Sequence, residues 1–170
     1  MNNMQQLYFG NLALDPNRQR RIVYYGRVST EHEAQLEALE KQMQWYEDQT
    51  KYHPNWTVVG KYIDEGITGT LAKKRPSFMK MIEDCRKGKI DMIVTKSVSR
   101  FSRNNLDCLM YVRELKQLGI PIIFEKEGIN TIQVSSELLL TLFGALSQAE
   151  SESISMNAVS YTHLTLPTKL

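Results

Sequence analysis

One serine and four arginines of this chain have the types and positions that chemistry on a phosphate requires. Ser29 follows a short apolar run and precedes a predicted helix, whose first N–H groups carry a positive partial charge. The arginines lie at or beyond the ends of predicted strands, and they are Arg27, Arg75, Arg100 and Arg103. Arginine stays protonated and presents a planar fork to phosphate oxygens. The set predicts a phosphate site in which a serine hydroxyl, by itself a weak nucleophile, is activated electrostatically.

Each of these residues also has a plainer interpretation. Ser29 could simply cap the helix, although Thr30 suits that role better because Glu33 completes a capping box with it. Each arginine, taken alone, could be an ordinary surface charge. The functional interpretation therefore depends on all five residues meeting at one place.

Other kinds of site find no support in the sequence. His32, His53 and His163 are scattered, and neither they nor Cys85 and Cys108 have metal-ligand spacing. The chain has no GxxxxGK[ST] loop, no GxGxxG turn and no GxSxG elbow. We therefore expect neither a metal nor a cofactor, and no histidine stands out as a base.

Strand and helix patterns alternate, which is typical of an α/β domain around a mostly parallel sheet of four to five strands flanked by helices. The predicted strands are Arg21–Tyr25, Trp56–Ile63, Ile90–Thr95 and Ile120–Phe124, with one more short strand possible in Glu125–Val134. The predicted helices are Thr30–Lys51, one from Pro76 to Gly88, one from Asn104 or Asn105 to Leu118, and Ser135–Met156. The carboxyl ends of parallel strands share one edge, so that edge should collect the serine and the arginines.

Two local predictions place the arginines within this scheme. Asp64–Arg75, which contains two glycines, is expected to be the loop after the second strand. Arg100 and Arg103 are three residues apart at the start of a predicted helix, so they should share a face.

The composition fits one globular domain that works in a reducing cytoplasm. The chain has 170 residues, 42% hydrophobic and 24% charged, and its two cysteines are too few for a disulfide framework. No apolar run approaches the roughly 18 residues of a membrane span, and no secretory pattern opens the chain. The net charge is only +2, yet Leu71–Asn104 holds ten basic residues against three acidic ones. Such a block suggests either a polyanion contact or a solvated lysine-rich face.

Four segments are predicted: a polar extension over 1–20, the α/β domain over 21–134, a long helix over 135–156 and a tail over 157–170. The long helix is apolar on two faces, so we expect it either to contact a partner chain or to cover the sheet. The tail is rich in threonine, lacks a helical stripe and is interpreted as a non-native sequence after a truncated reading frame. Sequencing the coding DNA past codon 156 tests this hypothesis, and an unbroken native frame ending at Leu170 would contradict it.

The ordered motifs resemble the catalytic domain of the serine site-specific recombinases, the resolvase/invertase family, with a closer match to its large members. The likeness covers about Arg21–Met156 and rests on Tyr25–Thr30, Gln42, Asp64–Thr70, Arg75–Phe78, Ile93–Asn104 and Leu138–Ser155. No single motif is decisive, but the ordered set is specific.

The resemblance implies that Ser29 attacks a DNA phosphodiester, forming a 5′-phosphoserine link and freeing a 3′-hydroxyl. By the same resemblance the four arginines are the active-site arginines, and Tyr25, Gln42, Asp64 and Ser99 are supporting residues. Ser99 stands where smaller members carry an aspartate. The family also implies double-stranded DNA as substrate, a homodimer that pairs into a tetramer, and a dimer helix corresponding to the long last helix.

Two alternatives remain beside this interpretation. The chain could be a dimerising module that docks on DNA without cutting it, because family members continue past the long helix into DNA-binding domains. A flavodoxin-like or receiver-like domain is disfavoured, because Asp64 has no acidic cluster beside it at the first strand, where Arg27 and Ser29 lie instead.

Overall fold

The computed structural model of the chain describes residues 15, 17–29, 32–66, 75–102, 104–146 and 148. Within these ranges the side chains of residues 29, 32–36, 39, 66 and 105 are outside the description. The chain divides into two compact units, one up to Ser135 and one from Ser136. The strands of the first unit are β1 (Arg20–Ser29), β2 (Trp56–Gly66), β3 (Met92–Thr95), β4 (Ile122–Phe124) and β5 (Ile129–Asn130). Its helices are α1 (His32–Lys51), α2 (Pro76–Arg86), α3 (Val98–Phe101) and α4 (Asn105–Gln117).

The five strands form one sheet in the order β2-β1-β3-β4-β5. β1 pairs in parallel with both β2 and β3, and β3 pairs in parallel with β4, whereas β5 runs antiparallel to β4. Parallel neighbours require crossover connections, which the helices supply. This mostly parallel sheet flanked by helices confirms the predicted fold class, and it brings the carboxyl ends of β1 to β4 to one edge.

Neighbouring residues of β1 build the core on opposite faces of the sheet, because successive side chains of a strand alternate. Tyr24 stacks on Tyr46 of α1, with ring centroids 4.3 Å apart. Tyr25 faces the other way and meets Phe78 of α2 at 5.3 Å and Phe101 of α3 at 6.0 Å, both edge to face. All five rings are fully buried. Burial on both faces explains why β1 reads as a continuous apolar run instead of an alternating one.

β1 and β2 both run further than their sequence patterns predict. β1 continues past Tyr25 to Ser29, and β2 continues to Gly66. Their parallel register holds Arg27 opposite Asp64 and Ser29 opposite Gly66. The prediction that a loop begins at Asp64 is therefore wrong. Backbone pairing with β1 extends the strand there, and backbone pairing leaves no mark in the hydrophobic pattern.

A short helix that the sequence did not predict, α3, lies between β3 and α4. The side chain of Ser97 caps it by accepting the N–H of Arg100 at 3.3 Å. Ser102 then takes an extended conformation, with φ −150° and ψ 144°. The prediction that Arg100 and Arg103 share the start of one helix is wrong, because the helix that holds Arg100 ends at Phe101. Arg103 itself lies outside the described residues.

The boundaries of α4 confirm the predicted cap and stop. The side chain of Asn104 accepts the N–H of Leu106 at 2.9 Å, which satisfies one of the unpaired donors of the first turn. Gly119 follows the helix with a φ of 74°, a conformation that glycine adopts without the strain of a Cβ atom.

The second unit begins with a helix over 136–146, and residue 148 is also helical. Thr141 donates its hydroxyl to the carbonyl oxygen of Glu137 at 3.0 Å within this helix. The first part of the predicted helix 135–156 is thus present. Its remainder, the tail 157–170 and most of the extension 1–20 lie outside the described residues. Nowhere in the described ranges does a helix combine the length and apolar character that crossing a membrane requires.

Candidate active site

The carboxyl edge of the sheet brings together most of the polar residues that the sequence singled out. Arg27 and Ser29 lie at the end of β1, and Asp64 lies beside them on β2. The backbone of Ser29 is described, but the placement of its side chain is not. The side chains that can be described fall into two groups, one around Arg75 and one around Arg100.

The guanidinium group of Arg75 is held by a hydroxyl, a carbonyl oxygen and two rings. Its Nε donates to the hydroxyl of Tyr25 at 3.1 Å, and its Nη2 donates to the carbonyl oxygen of Phe101. The guanidinium carbon lies 3.9 Å from the ring centroid of Phe78 and 5.3 Å from that of Tyr25. Cation–π contact and two hydrogen bonds fix the plane of the fork. Among the described residues, the other three of its five N–H donors have no hydrogen-bond partner, so they can meet a phosphate.

Asp64 links this group to the start of α2. Its carboxylate accepts the N–H groups of Ser77 at 2.8 Å and Phe78 at 2.9 Å, which are unpaired donors of the first helical turn. It also accepts the hydroxyl of Tyr25 at 3.0 Å. Asp64 is only 2% exposed, so these three bonds offset the cost of burying a charge. Asp64 thereby orients Tyr25, which in turn orients Arg75.

The protonation state of Tyr25 suits this relay. Burial raises the pKa of Tyr25 well above its ordinary value, since the low-polarity core disfavours a phenolate. The positive charge of Arg75 lowers the pKa of Tyr25, but burial outweighs it. Tyr25 therefore keeps its proton, donates to Asp64 and accepts from Arg75.

The second group joins α3 to the end of β1. Arg100 donates from Nη1 to the carbonyl oxygen of Arg27 at 3.1 Å, and Arg27 makes a longer contact from Nη2 to the carbonyl oxygen of Ser99 at 3.5 Å. The hydroxyls of Ser97 and Ser99 lie 3.0 Å apart. These reciprocal bonds attach Arg100 to Arg27, which precedes Ser29 by two residues on β1. Arg27, Arg100 and Ser99 therefore lie close together.

Gly26 has room for no side chain, because two residues of α1 press against it. A Cβ atom at Gly26 would lie 2.3 Å from Oε1 of Gln42 and 2.5 Å from the hydroxyl oxygen of Tyr46. Tyr46 donates that hydroxyl to the carbonyl oxygen of Tyr25 at 2.7 Å. Gln42 is 8% exposed, and its Oε1 has no hydrogen-bond partner among the described residues. Gln42 thus lies under the strand that ends in Ser29, with an unused acceptor.

Two arginines of this edge, Arg75 just before α2 and Arg100 in α3, have no carboxylate partner among the described residues. Within the part of the chain that the structure describes, neither Arg75 nor Arg100 forms an ion pair, although seven other ion pairs are present. Their hydrogen-bond partners among the described residues are neutral oxygens. An arginine held by neutral acceptors is oriented and still positive, which is the arrangement that phosphate recognition needs.

Sequence reasoning missed three contributors to this site: Tyr46, Phe101 and Glu127. Phe101 acts through its backbone carbonyl oxygen, so its residue type gives no signal. Tyr46 is a largely apolar residue of α1, and its phenol hydroxyl is the one signal in the sequence for a polar partner. Glu127 accepts the N–H of Val98 with both carboxylate oxygens at 3.2 Å, across a turn that is distant in sequence.

Comparison with known proteins shows which protein family the chain belongs to. The profile described as "Resolvase, N terminal domain" matches residues 22–163. The chain belongs to this resolvase family and has the family's catalytic-domain fold. It is 31% identical to a "Putative DNA recombinase" of Bacillus subtilis (strain 168), over 78% of this chain and 26% of that protein. It is 28% identical to a "Resolvase/recombinase" of Pseudomonas putida, over 35% of this chain and 33% of that protein. The chain thus spans about a quarter to a third of the length of these curated relatives.

Two solved structures share the fold. A resolvase family site-specific recombinase from Streptococcus pneumoniae is 27% identical, with a TM-score of 0.61 over 82% of this chain and 93% of that one. The N-terminal catalytic domain of TP901-1 integrase is also 27% identical, with a TM-score of 0.54 over 78% of this chain and 97% of that one. The resemblance to the catalytic domain of the serine recombinases, predicted from the sequence motifs, is therefore confirmed.

Proposed function

We propose that this chain cuts and rejoins double-stranded DNA, with Ser29 as the nucleophile. Oγ of Ser29 attacks the scissile phosphorus and loses its proton. The bond from phosphorus to the 3′-oxygen breaks, and that oxygen leaves as a 3′-hydroxyl after taking up a proton. The product is a 5′-phosphoserine ester. Resealing is the reverse attack by a 3′-hydroxyl, and because the ester conserves the phosphodiester bond energy, no ATP is needed.

The observation that carries this proposal is the pair of oriented, uncompensated arginines at the edge where β1 ends. Phosphoryl transfer spreads charge over the non-bridging oxygens, and fixed N–H donors stabilise that charge. Arg75 and Arg100 supply such donors without a metal. Arg27 and Arg103 are proposed to complete the set, with Tyr25, Gln42, Asp64 and Ser99 as supporting residues.

The proposed partners are duplex DNA and further copies of this chain. Two DNA sites would each hold a homodimer, and the two dimers would meet as a tetramer. Phosphate contacts from the basic stretch Leu71–Asn104 would position the duplex without selecting its sequence.

Covalent trapping on nicked DNA tests the proposal. The substrate is a duplex pool with randomised sequence around a nick, so that a short 3′-hydroxyl fragment dissociates after attack and leaves the adduct trapped. Wild type, Ser29→Ala and Ser136→Ala are compared on a denaturing gel. Ser136 is an exposed serine of the second unit and serves as the matched control. We expect a 5′-linked adduct with wild type and Ser136→Ala, and none with Ser29→Ala.

Two results would count against the proposal. An adduct that persists in Ser29→Ala would assign the nucleophile to another residue. A wild-type chain without any adduct is tested again with a DNA-binding domain fused after Met156. A second failure would favour a dimerising module that docks on DNA without cutting it.

A further inference from the structure

We propose that Glu127 is a positioning residue of this site, which holds α3 so that α3 can hold Arg75 and Arg100. This inference rests on the proposed function above. Glu127 lies in the turn between β4 and β5, far in sequence from every residue assigned to the chemistry. Its side chain contacts the first residue of α3, Val98.

The turn 125–128 continues the pairing of β3 and β4 beyond the ends of both strands. Thr95 is in register with Phe124, the last residue of β4. The N–H of Glu125 then donates to the carbonyl oxygen of Thr95 at 3.1 Å, and the N–H of Lys126 donates to that of Lys96 at 2.8 Å. These backbone bonds do not depend on which side chains occupy positions 125 and 126. They fix where the next residue, Glu127, must lie.

At Glu127 the next contact with the other segment is made by a side chain and not by the backbone. Its two carboxylate oxygens each lie 3.2 Å from the N–H of Val98. This N–H belongs to the first residue of α3, where no carbonyl of the helix can accept it. Val98 is 4% exposed, so water is a poor substitute. The carboxylate therefore provides the acceptor that fixes the entry of α3.

The four residues of α3 connect the bond between Glu127 and Val98 to the groups around Arg75 and Arg100. The last residue of α3, Phe101, gives its carbonyl oxygen to Arg75. Arg100 of the same turn reaches back to the carbonyl oxygen of Arg27 on β1. A shift of α3 would thus misalign two guanidinium groups at once. Small misplacements of catalytic groups are costly in rate because the chemistry depends on geometry.

Among the described residues, the Glu127 side chain bonds the backbone of Val98 and none of the predicted catalytic side chains. Its effect should therefore fall on turnover and not on DNA affinity. The side chain can be varied in steps. Glu127→Gln keeps one oxygen that can accept the N–H of Val98, whereas Glu127→Ala keeps none. Glu125→Ala is the matched control, because Glu125 lies in the same turn and contributes its backbone N–H to Thr95.

The test combines amide hydrogen exchange with the adduct assay, using the full 170-residue chain. For Glu127→Ala we expect exchange at the Val98 and Arg100 amides to quicken at least tenfold. At saturating nicked DNA, its adduct rate should fall about tenfold, with the half-saturating DNA concentration within about twofold of wild type, since a positioning loss lowers turnover and not binding. Glu127→Gln should restore most of the rate, and Glu125→Ala should match wild type in both measurements.

The outcomes separate this inference from the function on which it rests. An active wild type whose Glu127→Ala variant keeps its adduct rate overturns the inference alone, even if exchange at Val98 quickens. A loss confined to DNA affinity, or equal losses in Glu127→Ala and Glu127→Gln, would also overturn it. A wild type that forms no Ser29-dependent adduct, either alone or with a DNA-binding domain fused after Met156, rejects the proposed function and the inference together.

Discussion

The two edges of the sheet use the same side chain in opposite ways. At the amino edge, where the parallel strands begin, Arg21 forms a two-bond ion pair with Asp91. Its Nε and Nη2 each donate to the Asp91 carboxylate at 3.0 Å. Nη2 also donates to the carbonyl oxygen of Gly88 at 2.8 Å. At the carboxyl edge, Arg75 uses its fork on the hydroxyl of Tyr25 and a carbonyl oxygen. The first arginine is neutralised, whereas the second is oriented and left charged.

This difference separates a structural arginine from one that is ready to bind an anion. The carboxyl edge does contain a buried carboxylate, Asp64, but its hydrogen bonds go to Tyr25 and to the start of α2. The hydroxyl of Tyr25 thus stands between Asp64 and Arg75. A direct pair would cancel the charge, whereas the relay fixes the position of Arg75 and keeps its charge.

Replacing each arginine by lysine gives the largest expected contrast between the edges. Lysine keeps the charge but cannot reproduce a planar fork. We expect Arg75→Lys to slow adduct formation about 100-fold, the scale of losing a preorganised donor to the transition state. Arg21→Lys should leave the adduct rate within about twofold, because its contacts support the fold. The adduct assay on nicked duplex measures both, and equal losses would show that fork geometry at the carboxyl edge is not special.

Asp64→Asn should give the largest loss of stability at the carboxyl edge. Asparagine offers one oxygen to three donors and turns an amide NH₂ toward the remaining ones, which should cost about 2–3 kcal/mol of unfolding free energy. Urea titration followed by the fluorescence of Trp45 and Trp56 measures this. The control is Glu65→Gln, at the exposed next position, with an expected change below about 0.5 kcal/mol. A small loss for Asp64→Asn would mean that its three bonds are not what holds α2.

Gly26→Ala tests how tightly α1 is packed under β1. The new methyl group would meet Gln42 and Tyr46 at less than contact distance, so we expect a loss of about 1–3 kcal/mol. Removing the Gln42 side chain in the same variant should recover part of the loss. Gly144→Ala is the control, since a Cβ atom there meets nothing within 4 Å and favours the helix by up to about 1 kcal/mol. Equal behaviour of the two alanine variants would contradict the packing described at Gly26.

The fold could be predicted from the sequence because the alternation of apolar runs and helical stripes is a local signal. The strand ends could not. Backbone pairing between β1 and β2 extends both strands as far as Ser29 and Gly66, and residue types do not encode such pairing. α3 was also missed, because four residues are too few to show a helical period.

The sequence indicates which residues lie at the carboxyl edge, but it does not indicate how their side chains connect. The arginines could be singled out because their chemistry and their places at strand ends agree. The link from Asp64 through Tyr25 to Arg75 could not be predicted, because it joins residues that are far apart in sequence. It also includes a helix cap that Asp64 contributes from β2. The bond from Glu127 to Val98 spans 29 residues and was likewise invisible.

The smallest expected effect is a pH dependence of stability that belongs to the amino edge. Burial raises the pKa of Asp91, but the hydrogen bonds and charge of Arg21 and Arg18 outweigh burial, so the pKa of Asp91 lies below its ordinary value. Folding therefore favours the ionised form. The stabilisation is complete above the unfolded pKa of about 4 and is lost as the pH falls through the lower folded pKa.

Asp91→Asn should accordingly be less stable than wild type by about 1 kcal/mol at pH 7, with the gap closing near pH 3. Arg21→Ala should show the same narrowing, because it removes the other half of the pair. Urea titrations of the three proteins at both pH values measure the gap. Tyr25 at the carboxyl edge should not titrate between pH 5 and 9, since burial raises its pKa. A gap that stays constant down to pH 3 would show that the grip on Asp91 does not depend on its charge, and the contrast between the two edges would then rest on geometry alone.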